Sequence, residues 1–93
     1  MAKFLIEIPH SEERRACAQA IRVFHESGHH YLTQAEWGCG DNEHYGWMMV
    51  DCPTREDARR IVPPAFRADA RVIRLRHFTL EEIDKILAEH PAT

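Results

Sequence analysis

Phe4, Ile6 and Ile8 alternate with Leu5 and Glu7, and the run stops at Pro9. A period of two with one strongly apolar face is the pattern of a half-buried strand, and that face must be covered by another part of the fold. The cover follows at once. Ser11 can cap a helix, Glu12 and Glu13 suit the positive end of its dipole, and Ala16, Cys17, Ala20, Ile21, Val23 and Phe24 recur at helical spacing until Gly28. Cys17 falls on that apolar stripe, where a free thiol is expected to be an inert part of the core.

From His29 to Trp37 the residues favour a strand, and after a turn containing Gly38, Gly40, Asp41 and Asn42 the pattern resumes from His44 to Asp51. These two strands are expected to form a hairpin. Pairing Trp37 with Tyr45 places Tyr31, Thr33, Ala35, Trp37, Tyr45, Trp47 and Met49 on one face, and a slip of one residue would reverse the faces. Pro53 and Thr54 open a short second helix that Pro63-Pro64 ends. Arg71 to Phe78 reads as the fourth strand, with Ile73 and Leu75 directed to the core and Val72, Arg74 and Arg76 to the open face. Thr79-Leu80-Glu81-Glu82 is a capping box, and Leu80, Ile83, Ile86 and Leu87 form an apolar stripe on a final helix.

The order β-α-β-β-α-β-α over residues 1–93 predicts one α+β domain. Right-handed crossovers favour a ferredoxin-like βαββαβ sandwich with strand order 4-1-3-2, an antiparallel four-stranded sheet, helices on one face and an added C-terminal helix. The net charge is −3 and the basic residues are dispersed among acidic ones, which argues against a nucleic-acid partner. No apolar run approaches the roughly 20 residues that span a bilayer, so a cytoplasmic protein without a membrane partner is expected. Three cysteines at irregular spacing indicate thiols rather than a disulfide framework. No phosphate-binding glycine loop, dinucleotide fingerprint or nucleophile elbow is present, so no nucleotide cofactor is expected.

With Trp37, Trp47 and a mixed polar and apolar open face, this element order resembles the dimeric α+β-barrel group that includes small monooxygenases and muconolactone isomerase. Glu36-Trp37-Gly38-Cys39, followed by His44, Trp47 and Ile61-Val62-Pro63-Pro64, is also similar to small bacterial proteins of unknown function. The resemblance is one of architecture and carries no catalytic residue with it. It implies a homodimer with a pocket between facing sheets.

Two constellations could carry chemistry. At the hairpin tip, Glu36, Cys39 and His44 fall within nine residues, and the topology brings His10 to the same sheet edge. Carboxylate, thiolate and imidazole suit a transition metal such as zinc, nickel, copper or iron better than calcium or magnesium. On the open face, Tyr31, Trp37, Trp47, Glu7, Arg74 and Arg76 could line a pocket for a small-molecule ligand, or Glu7 could simply pair with an arginine across the sheet. At the opposite edge, His29, His30, Cys52 and His77 form a backup metal group. The first functional expectation is a cytoplasmic homodimer, joined through its open sheet face, that binds a transition metal at the hairpin. The alternatives are a cofactor-independent small-molecule enzyme of the dimeric-barrel type and a non-catalytic ligand-sensing or protein-interaction module.

Overall fold

The computed structural model describes residues 1–92. Strand β1 (Ala2–Pro9) is followed by helix α1 (Arg14–Glu26), helical turn α2 (His30–Thr33) and the two-residue strand β2 (Glu36–Trp37). After a 3-10 turn at Cys39–Asp41 come β3 (Tyr45–Cys52), α3 (Arg55–Ile61), α4 (Pro64–Arg67), β4 (Arg71–Leu75) and α5 (Leu80–Glu89). The four strands form one antiparallel sheet in the order β2-β3-β1-β4. The molecule is an α+β protein. Among the described residues, no helix is long and apolar enough to cross a membrane.

The alternation in β1 is the backbone of the core. Phe4, Ile6 and Ile8 are buried, as are Met48, Val50 and Cys52 of β3, and Phe24 of α1, Leu32 of α2, Ala58 of α3 and Val62 close over them. A row of period two meets helical stripes that have no polar atoms to satisfy, so burial is driven by transfer of apolar surface out of water. Guanidinium contacts finish the edge. Arg59 donates to the carbonyls of Arg67 and Ala70, and Arg55 donates to that of Val72, which satisfies backbone oxygens where the helices meet β4.

Three details differ from the sequence reading. Residues 30–33 are helical rather than extended: the His29 side chain accepts from the Tyr31 N–H, the Thr33 hydroxyl donates to the His30 carbonyl, and Leu32 is buried. Local caps and one anchor in the core override the strand propensity of Tyr31 and Thr33. The hairpin register also slips by one, pairing Trp37 with Gly46 and Glu36 with Trp47. Gly46 is required there, because a Cβ would lie 2.6 Å from the Trp37 ring. In β4 the faces are likewise exchanged: Val72 pairs with Ile6 and is buried, whereas Ile73 and Leu75 pair with Leu5 and Lys3 on the uncovered side.

Candidate metal centre

The register places Trp37 on the helix-covered side of the sheet, where its ring meets Phe24 edge-on at 4.9 Å and the His10 ring at 5.6 Å. Trp37 thus forms a wall behind His10. The end of β1 is tied to the returning hairpin by the His10 N–H, which donates to the His44 carbonyl at 3.1 Å. Gly38 allows the hairpin to fold tightly, since a Cβ there would lie 2.8 Å from the Glu43 carbonyl oxygen. Asn42 closes the 3-10 turn in the left-handed region, at φ 61°, and its N–H donates to Cys39. Cys39 is the first residue of that turn, and it projects toward the first helical turns of α1.

Three side chains converge there. Cys17 Sγ lies 3.0 Å from Cys39 Sγ, and Cys39 Sγ lies 3.6 Å from His10 Nε2. The ligand atoms of His10, Cys17 and Cys39 all lie within 4.8 Å of one another, and all three residues are half-buried. They are close enough to hold a metal ion. His10 Nδ1 is 3.0 Å from the Ser11 carbonyl oxygen. A carbonyl can only accept, so the proton sits on Nδ1 and the Nε2 lone pair is left facing the sulfurs. This is the outer-shell bond that fixes tautomer and ring orientation in metal-binding histidines.

The thiols are chained to that imidazole. Cys17 donates to Cys39, and Cys39 is in reach of Nε2. The bond to Cys39, together with burial and the charge Cys39 can carry, raises the pKa of Cys17 above its ordinary value. A cation bound among these atoms would reverse that balance and displace the thiol protons. Glu12, Ile21 and His44 flank the same hollow. His44 stands beside the cluster, its ring 5.8 Å from that of His10. Its Nε2 is 3.1 Å from Asn42 Oδ1, and its Nδ1 is buried without a partner.

The hairpin group of the sequence analysis is therefore divided by the sheet. Cys39, His10 and His44 gather on one side, while Glu36 pairs across from Trp47 on the other. Cys17 joins the cluster in place of Glu36. Its position was legible in one respect: only residues 11–13 separate His10 from the start of α1, so the first turns of that helix stay near the end of β1.

The open-face group also separates. Trp37 leaves it for the core side, and Tyr31, Glu36 and Trp47 line a shallow hollow of about 390 Å³ with Leu5, Gln34 and Met49. Glu7 pairs with Arg71 at 3.7 Å rather than with Arg74 or Arg76, an exposed contact on the arginine side. Arg74 pairs across from Phe4, and Arg76 binds Glu82 and lies over the Phe78 ring. In the backup group, His29 and His30 stack on each other at 4.9 Å and Cys52 donates to the Thr54 carbonyl. Burial raises the Cys52 pKa. Among the described residues, that group does not bring three ligand atoms together.

Fold and cluster together define an α+β domain bearing a thiol and imidazole centre at one sheet edge. No protein-family model, curated protein or solved structure matches the chain.

Proposed function

We propose that the protein binds a transition metal ion, with zinc as the first choice, through His10 Nε2 and the thiolates of Cys17 and Cys39. The observation that carries this reading is the convergence of one nitrogen and two sulfurs from three separate elements within 4.8 Å. Replacing the expected carboxylate by a second thiolate makes the donor set softer. It favours zinc or copper(I) over iron(II) and nickel(II).

Zinc–sulfur bonds of about 2.3 Å in a tetrahedral site set the two sulfurs about 3.8 Å apart, so the pair needs to open by less than about 1 Å. His44 supplies the fourth donor. Its Nε2 donates to Asn42, which leaves the buried Nδ1 lone pair free, and its ring lines the same hollow, 5.8 Å from that of His10. Four protein ligands make a closed centre, which suits retention of the ion rather than hydrolysis at an open position. The sheet order, with α1 and α3 on one face, supports a ferredoxin-like architecture carrying that centre at the tip of its β2-β3 hairpin.

Elemental mass spectrometry of untagged protein purified without chelator tests the proposal. One zinc per chain is expected, falling at least about tenfold in occupancy in Cys17→Ser and Cys39→Ser and less in His44→Ala. Bound zinc should also slow alkylation of Cys17 and Cys39 while leaving the buried Cys52 unchanged. Parent protein that neither retains zinc nor takes it up on addition, or serine variants that keep it, would show that the cluster is only a packed thiol pair.

A further inference from the structure

The centre carries a dithiol as well as three ligands. Cys17 Sγ and Cys39 Sγ stand 3.0 Å apart, nearer than the roughly 3.5–4.0 Å at which even two smaller carbon atoms rest without a bond between them. The third cysteine does not compete for either sulfur. Cys52 pairs with Ala2 at the far end of the eight-residue strand β1, about 26 Å from the end that leads to His10, and it is buried with its thiol donated to the Thr54 carbonyl.

The two sulfurs near His10 are not equivalent. Cys17 donates to Cys39, and the His10 Nε2 lone pair faces Cys39 at 3.6 Å. Nucleophile, base and the Ser11 carbonyl that orients the base therefore form one chain, with Cys39 at its head and Cys17 placed to follow. Both sulfurs open on a hollow of about 490 Å³ bordered by Arg14, Ile21 and His44, which gives a small molecule access to Cys39. Cys39 begins the 3-10 turn, and nothing lies within 4 Å of the place a Cβ on Gly40 would take. The turn is thus free to move the about 1 Å that separates the present contact from a sulfur–sulfur bond of about 2.0 Å.

We infer that Cys17 and Cys39 are a reversible redox pair that reduces low-molecular-weight disulfides, with Cys39 attacking and Cys17 resolving, and that the intramolecular disulfide so formed does not hold the metal ion. In the metal-free chain, Cys39 Sγ first bonds to one sulfur of the small disulfide, whose S–S bond breaks, and one small thiol leaves with the proton from Cys39. Cys17 Sγ then bonds to Cys39 Sγ, the mixed disulfide breaks, and the second small thiol leaves with the proton from Cys17. Two electrons pass from the protein dithiol to the small disulfide, and excess small thiol reverses both steps. Zinc and the disulfide ask opposite movements of the same atoms: a tetrahedral ion spreads two thiolates to about 3.8 Å, whereas sulfurs bonded to each other are no longer thiolates. Loss of the ion rests on the zinc reading above; the exchange itself rests only on the two thiols and His10.

The test incubates the full chain, stripped of metal with chelator, with oxidised glutathione and follows its intact mass. Loss of two hydrogens without a retained adduct is expected, with a non-reduced digest joining the Cys17 and Cys39 peptides and reduced glutathione restoring the parent mass. Cys17→Ser should stop at one glutathione on Cys39, and Cys39→Ser should react at least about tenfold more slowly than the parent. The oxidised chain, freed of chelator, should take up at least about tenfold less zinc than the reduced chain. Thiols that stay free in excess oxidised glutathione, a parent adduct that Cys17 does not resolve, or a bond that includes Cys52 would overturn the redox pair. Oxidised protein that binds zinc as the reduced protein does would overturn loss of the ion. A reduced chain that closes the disulfide but binds no zinc counts against the metal centre and for the redox pair.

Discussion

At the scale of single residues, the position of Trp37 governs the centre. Its ring occupies the space over Gly46, and that one close approach sets which side of the sheet each hairpin residue takes. Gly46→Ala should therefore cost about 1–3 kcal/mol, because the ring is held between Phe24 and His10 and has no empty space to enter. Urea unfolding would show the midpoint fall. The same substitution should weaken zinc binding, since displacing Trp37 moves the wall behind His10. A variant with parent stability would mean that the ring does not fix the register. Cys17 teaches a related point: from the helical stripe alone it looks like core, yet it stands at the edge of that stripe where α1 passes the hairpin tip.

At the scale of elements, the C-terminal helix depends on its cap. Thr79 accepts from the Glu82 N–H, and Glu82 accepts from the Thr79 N–H while pairing with Arg76. The backbone bond from Thr79, and then Arg76, lowers the Glu82 pKa below its ordinary value of 4.5. A depressed folded-state pKa means that the charged form stabilises the cap above the unfolded-state pKa, and that this contribution is lost as pH falls through the folded value. Amide protection in the first turn of α5, taken relative to the intrinsic exchange rate at each pH, should accordingly fall on acidification below about pH 4.5, and Glu82→Gln should remove most of that dependence. An unchanged profile in the variant would assign the effect elsewhere. Helical turn α2 shows the opposite balance, in which a strand-like composition is overruled by a capping histidine and the burial of Leu32.

At the scale of the whole molecule, the centre joins the end of β1 and the start of α1 to the hairpin return, where Cys39 stands 22 residues beyond Cys17 in the chain. An ion bound there holds the folded state alone, because the unfolded chain does not keep the three ligands together. Free zinc at about one hundred times its dissociation constant should add about 2.7 kcal/mol, raising Tm by on the order of 10 °C for a domain of this size. Calorimetry with and without zinc, beside Cys17→Ser, checks this. A Tm unmoved in the parent, or moved equally in the variant, would uncouple the ion from the cluster.

The periods of the chain determined most of the elements: the alternation of Phe4, Ile6 and Ile8, the stripe from Ala16 to Phe24, and the capping box at Thr79 are local patterns that need no partner to be read. They also brought His10, Cys39 and His44 to one edge of an antiparallel sheet. Tertiary structure decided the side of the sheet. A strand of two residues has too little periodicity to set its own register, so the contact of Trp37 with Gly46 settled it and sent Glu36 away from the sulfurs. The same packing brought Cys17 against Cys39, a meeting across 22 residues that depends on how α1 crosses the sheet. The faces of β4 were fixed in the same manner, by which of its neighbouring side chains fits beside Ile6.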